Sequence, residues 1–179
     1  MKRFSLLLIL ILIASGCSTP KSTTQITYTT CDSIVKQEGS SVPILKIELP
    51  CSDGKSLIKL NEIKGPAIIN AWASWCAPCK EEIPIFKEFA ELNQEQIQLV
   101  GIDVEERSSF DGAKFATEMG MTWPQLVDND GRTRAAFGMG IPITWFINDQ
   151  GAIVYEKVGP MRSIEQMRGL VQNFLRINI

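Results

Sequence analysis

The 179-residue chain contains no histidine. That absence removes the commonest zinc and copper ligand, the usual haem ligand and every mechanism built on an imidazole base. No basic stripe or polybasic run is present, and the net charge is −2, so nucleic acid is not an expected partner. The longest apolar run, Leu6–Ala14, is shorter than the roughly 20 residues a membrane-spanning helix needs. What remains is an ordinary globular composition, 45% hydrophobic and 21% charged, at a length suited to one domain with short appendages. Chemistry in such a chain has to run on cysteine, carboxylate, lysine or backbone groups.

The N-terminus has Lys2 and Arg3, the apolar run, and small residues before Cys17, which is the layout of a secretory signal. Ala14-Ser15-Gly16-Cys17 resembles the bacterial lipobox, apart from Ala14 where that motif usually has Leu. The resemblance implies that residues 1–16 are a signal peptide and that Cys17 is lipidated; the alternative is an ordinary signal with an incidental Cys17. Both place the protein outside the cytoplasm, where disulfides persist. With lipid, it is held at the extracytoplasmic face of a bacterial membrane, and without it the protein is secreted. Nine of the sixteen residues from Ser18 to Ser33 are Ser or Thr, so residues 17–42 are expected to form a tether and residues 43–179 the domain. Loss of residues 1–16 would bring the net charge near −4.

Four further cysteines remain: Cys31, Cys51, Cys76 and Cys79. An even count outside the cytoplasm favours two pairs, with three possible connectivities. Cys76 and Cys79 form the obvious local pair, leaving Cys31 with Cys51. That link would tie the tether to the first strand and stabilise the fold by roughly 3 kcal/mol. The alternative is Cys51 packed as a small hydrophobe and Cys31 exposed.

Ile44–Leu49 and Ser56–Leu60 alternate in polarity around Ser52-Asp53-Gly54, which predicts a hairpin. PAIINAWAS, from Pro66, is a nearly continuous apolar run of strand length, as expected for burial on both faces. From Pro78 the pattern turns helical, with Ile83, Phe86, Phe89, Ala90 and Leu92 on one face and Pro84 expected to kink it. Gln98–Val104 is a second buried strand, and Phe110–Met119 an amphipathic helix ended by Gly120. Trp123–Val127 and the turn DNDG lead to a short helix at Thr133–Phe137. GIPITWFIN and AIVYEKVG form two strands around Asp149-Gln150-Gly151, and Ser163 caps a last helix with Ile164, Met167, Val171, Phe174 and Leu175 as its apolar face. The βαβ start calls for a parallel core, and the closing hairpin adds antiparallel strands.

Trp72-Ala73-Ser74-Trp75-Cys76-Ala77-Pro78-Cys79 therefore lies where a buried strand becomes a helix. Unsatisfied N–H groups and partial positive charge at a helix N-terminus favour a thiolate, and cysteine pKa values there fall from about 8.5 to roughly 3.5–7.5. Cys79, one turn further in, suits attack on a mixed disulfide formed at Cys76. A CxxC pair also serves in zinc ribbons, but zinc normally wants four ligands, and Cys31 and Cys51 match that poorly. An inert structural disulfide is the remaining alternative.

Trp72, Trp75, Cys76, Pro78, Cys79 and Pro84, with Gly140-Ile141-Pro142-Ile143-Thr144, resemble the thioredoxin superfamily, and most closely its TlpA/ResA-like membrane-tethered thiol–disulfide oxidoreductases. The likeness covers about residues 43–175. It implies an α/β thioredoxin fold, a mixed central sheet flanked by helices, with an N-terminal hairpin extension. It also implies Cys76 as nucleophile, Cys79 as resolving thiol and Pro142 as a cis-proline facing them, with the Ile141 backbone open to an extended partner segment. Asn70 stands where thioredoxin keeps a buried aspartate, and Glu82 occupies the acidic position of the ResA-like motif, where it would help Cys79 lose its proton. Glu82 reads equally as a first-turn acid favoured by the helix dipole, and Glu81 reads simply as one.

The resemblance implies no cofactor and a monomer exchanging disulfides with cysteine-containing secreted proteins or apocytochrome c. A membrane thiol–disulfide partner would supply or accept the electrons. The reducing, ResA-like direction is expected; the alternative is an oxidant that introduces disulfides. A thiol peroxidase of the peroxiredoxin type fits poorly, because Ser74 lies one residue too close to Cys76 and Ile69 stands where proline would be wanted.

Overall fold

The computed structural model describes residues 25–39, 46–93, 95–138 and 140–179. The expected signal segment and the lipidation position Cys17 lie outside the described residues. A five-stranded sheet forms the centre, ordered β5-β4-β3-β6-β7. Its strands are β3 (Ala67–Trp72), β4 (Gln98–Val104), β5 (Gln125–Asp128), β6 (Ile143–Ile147) and β7 (Ile153–Val158). β3, β4 and β5 run parallel, while β6 and β7 pair antiparallel on the other side of β3. The switch of direction at β3 matches the change from crossover helices to a closing hairpin. Every residue of β3 and β6 is buried, which is why their sequences carry no polar alternation.

β1 (Glu48–Pro50) and β2 (Leu57–Lys59) form the small hairpin, and Leu60–Glu62 follows as a 3-10 turn rather than as more strand. α1 (Ala77–Leu92) buries Cys79, Glu82, Ile83, Phe86 and Phe89 and continues through Pro84. α2 (Ser109–Met119) is capped by the Ser108 side chain and stopped by Gly120, whose φ of 66° suits glycine. α3 (Arg134–Phe137) is a single turn. α4 (Ile164–Leu170) starts at Ser163 and passes into a π turn, Val171–Leu175. Of its expected apolar face only Met167 and Val171 are buried; Phe174 instead stacks on Tyr155, ring centroids 4.1 Å apart. No helix among the described residues is long and apolar enough to cross a membrane.

The segment expected to be a tether differs from that expectation over residues 25–39. Cys31 and Ile34 are buried in the main core, and Lys36 bridges to Ile63. The Thr29 hydroxyl accepts from the Gln125 backbone N–H at 3.1 Å, and Ser52 N–H donates to the Gln125 carbonyl at 2.8 Å. Cys51 bridges to Leu126. This strap, together with Cys51 and Ser52 just after β1, thus covers the outer edge of β5, satisfying backbone groups that an edge strand would otherwise present to solvent. The Thr29 hydroxyl and the Ser52 backbone N–H make those bonds, and the Ser52 hydroxyl donates to the Thr29 carbonyl at 3.0 Å, a use that composition alone does not reveal.

Candidate functional site

β3 delivers the chain to the end of the sheet, and the turn Ala73–Cys76 carries it into α1. Cys76 is the N-cap, extended at φ −86° and ψ 105°, with Pro78 in the first turn where its missing N–H costs nothing. The Cys79 N–H donates to Cys76 Sγ at 3.2 Å. Cys76 Sγ also lies 3.8 Å from the Ile141 carbonyl, and the Ile141–Pro142 peptide is cis. Cys76 is only 5% exposed and Cys79 fully buried, and the two sulfurs are bonded. A helix N-terminus aimed at Cys76 Sγ stabilises negative charge there once the bond is reduced.

Behind this pair sits a buried polar group. Asn70, on β3, donates through Nδ2 to Glu82 Oε1 at 2.9 Å and to Thr144 Oγ1 at 3.2 Å. The other oxygen of Glu82 accepts from Met161 N–H at 2.7 Å. Glu82 stands three residues after Cys79, on the same face of α1 and fully buried. Burial pushes its carboxyl up to about 7, and the bonds from Met161 and Asn70 hold it from rising further. The helix begins at Ala77, so Glu81 and Glu82 lie beyond its first turn and the dipole explanation fails for both. Glu81 is exposed and faces Arg162 at 3.8 Å.

A second carboxylate holds the turn from the other side. Glu106, buried after β4, accepts from the Ser74 backbone N–H and, at 2.8 Å, from the Ser74 hydroxyl. Trp75 is 56% exposed, and its indole donates to the Glu105 carbonyl at 3.2 Å. Trp72 is buried, and its indole donates to Gln125 Oε1 at 2.9 Å. Gln125 is thus shared between the active-site strand and the N-terminal strap. Trp75 and Ile141 line one wall of a cleft of about 470 Å³ whose floor includes Val104, Thr133 and Phe137. Arg134 and Glu105 form an ion pair at the same cleft. Away from it, Cys31 and Cys51 are bonded and buried.

The structure therefore gathers Cys76, Cys79, Trp75, Pro78, Ile141 and Pro142 at one end of the sheet, with Glu82 beneath and Trp72 beside them. Thr144, quoted only as the end of the Gly140–Thr144 motif, lies in the same neighbourhood, as do Met161, Glu106, Asp103 and Gln125, which were not singled out in the sequence. The one signal that could have found two of them is the pair of acids at Asp103 and Glu106, straddling the end of a strand parallel to β3.

A cysteine pair at the start of a helix, faced by a cis-proline loop on a five-stranded mixed sheet, defines the class: a thioredoxin-fold thiol–disulfide oxidoreductase. Residues 40–156 match the AhpC/TSA family, and the chain belongs to it. It is 33% identical over 112 residues to the thiol:disulfide interchange protein CycY of Rhizobium leguminosarum bv. viciae, covering 61% of this chain and 59% of that one. It is 30% identical over 127 residues to the thiol-disulfide oxidoreductase ResA of Bacillus subtilis, covering 69% of each. Among solved structures, StoA from Bacillus subtilis matches with a TM-score of 0.57 and 28% identity, over 68% of this chain and 92% of that one. MTB DsbF matches with a TM-score of 0.61 and 25% identity, over 71% of this chain and 96% of that one.

Proposed function

We propose that this protein reduces disulfides in protein substrates outside the cytoplasm, with Cys76 as the attacking thiolate and Cys79 as the resolving thiol. The observation that carries the reading is the placement of the two sulfurs. Cys76 Sγ is capped by the first turn of α1 and faces the Ile141 backbone, whereas Cys79 is shut behind it beside Glu82. In the forward step the Cys76 thiolate attacks a substrate disulfide, forming a mixed disulfide and releasing one substrate thiolate. Glu82, ionised, takes the proton from Cys79, whose thiolate then attacks Cys76 Sγ. The second substrate thiolate leaves, and the protein is left with the Cys76–Cys79 disulfide, two electrons having passed to the substrate. A membrane thiol–disulfide partner returns those electrons.

The names of CycY and ResA support exchange chemistry, and the resemblance to ResA-like proteins supports apocytochrome c thiols as the product. Cleavage before Cys17 and lipidation there would hold the domain at the outer face of the membrane, with residues from Cys17 to the start of the strap spacing it from the surface. The backbone next to Pro142 and the cleft beside Trp75 are where a partner chain would lie. Cys79→Ser should trap a mixed disulfide with a substrate peptide, visible by mass spectrometry under non-reducing conditions. Cys76→Ser should neither trap one nor turn over, and turnover by that variant would overturn the assignment.

A further inference from the structure

Lys157, half-buried near the end of β7, stands in register opposite Thr144 of β6. Paired residues of neighbouring strands project to one face of the sheet. Its side chain therefore leaves on the side of Thr144, whose hydroxyl shares the Asn70 amide with Glu82. An ammonium has three donors. Those of Lys157 go to three successive carbonyls of one loop, Val158 at 2.8 Å, Gly159 at 3.1 Å and Pro160 at 3.2 Å. Gly159, at φ 77°, occupies the left-handed region, which turns the chain tightly enough for those carbonyls to converge. Two N–H groups of the same loop serve the site. Gly159 N–H donates to the Pro142 carbonyl at 3.0 Å, and Met161 N–H to Glu82 Oε2 at 2.7 Å. The ion pairs among the described residues leave Lys157 out.

We propose that Lys157 is a positioning residue for the resolving half of the site: by gathering three carbonyls it shapes the loop that delivers the Met161 N–H to Glu82 and braces Pro142. The other groups around Glu82 leave this role to it. β3 and β6 present the neutral Asn70 and Thr144, and Glu156 of β7 accepts from the Trp145 indole on the opposite face. Glu81 is turned to Arg162, and the other charged residues of α1 and α4 are exposed. The Met161 bond and the Lys157 charge both favour the ionised carboxyl, opposing its burial. Without the ammonium the loop loses its staple and Glu82 loses part of both, so Glu82 ionises only at higher pH. The proposal rests on Cys79 as resolving thiol and Glu82 as its base. A merely structural lysine would leave the pH at which that base ionises unchanged.

The test mixes the reduced full chain with dithiobis(nitrobenzoate) in a stopped-flow absorbance experiment at a series of pH values from about 6 to 9. Attack by the Cys76 thiolate releases one nitrothiobenzoate and leaves the other on Cys76 Sγ. Cys79, its proton passed to Glu82, then attacks Cys76 Sγ, releasing the second and closing the Cys76–Cys79 bond. The pH midpoint of that second phase reports the ionisation of Glu82. Lys157→Met should move it up by about one pH unit, the worth of a hydrogen bond to a charged group. Lys157→Gln, with donors but no charge, should move it in the same direction, and Lys157→Arg, with both, should restore the wild-type midpoint. A midpoint at or below the wild-type value in Lys157→Met or Lys157→Gln, or one displaced equally in Lys157→Arg, would overturn the proposal. Failure of the exchange reading would show in the wild type instead, as a single phase ending without a Cys76–Cys79 disulfide.

Discussion

Replacing Glu82 with Gln tests the buried acid through both stability and rate. In the native protein the carboxyl is raised from an ordinary 4.5 to about 7, first by burial. Between those values the folded protein holds a proton that the unfolded chain releases, so the contribution of Glu82 to stability falls as pH rises from 4.5 to 7 and is flat above. At about 1.4 kcal/mol per pH unit, the loss is about 3 kcal/mol. Gln cannot titrate, so the variant lacks this decline, although it loses an acceptor for either Met161 N–H or Asn70 Nδ2. Its stability relative to wild type should therefore climb by about 3 kcal/mol from pH 4.5 to pH 8, measured by urea unfolding of the oxidised proteins. Asp103, which burial pushes up to about 8, titrates in both and cancels in the difference. In the proposed mechanism Glu82 can accept the Cys79 proton only when ionised, so the wild-type resolving step should accelerate through pH 7. The Gln variant should lack that acceleration and run slower at pH 8 by on the order of 10²-fold. Parallel stability curves, together with unchanged exchange kinetics from pH 6 to 9, would refute the reasoning.

Replacing Cys31 and Cys51 with Ser opens a bond between residues 20 apart and should cost about 3 kcal/mol in urea unfolding; an unchanged midpoint would show that the strap packs without it. Asn70→Ala leaves Glu82 and Thr144 without their shared donor, so it should destabilise by about 2 kcal/mol and move the Glu82-linked pH step upward. Gly101→Ala would put a Cβ 1.8 Å from Gln125 Oε1 and 2.9 Å from the Trp72 indole nitrogen, breaking the bond between them. That variant should change Trp fluorescence and loosen the strap, seen as faster proteolysis before residue 39. Trp75→Ala removes an exposed ring from the cleft wall, and should slow exchange with a protein substrate while leaving exchange with dithiothreitol unchanged.

The parts of the fold legible in the sequence are those set by local pattern. Gln98–Val104 was readable to the residue because a strand buried on both faces is a mostly apolar run, here interrupted only by Gly101 and Asp103 after Gln98. The strand-to-helix corner at Cys76 was readable because Pro78 and the periodicity of Ile83, Phe86 and Phe89 mark a helix start. The strap was not legible, since Thr29 and Ser52 gain their structural role from Gln125, about ninety and seventy residues away. The position of Glu82 could be named, but the bonds around it could not: its donors Asn70 and Met161 come from β3 and from a loop far along the chain. Nothing in the local sequence marks Glu106, and only the packing of β4 beside β3 shows it gripping Ser74.

The central claim is a reducing two-electron couple confined to Cys76 and Cys79. Equilibrating the protein in defined glutathione buffers, with alkylation and mass analysis of all four domain cysteines, measures it directly. A single transition at Cys76–Cys79 near about −270 mV, with Cys31–Cys51 still closed, is the predicted result. A potential well above about −200 mV, or opening of Cys31–Cys51 in the same transition, would contradict it.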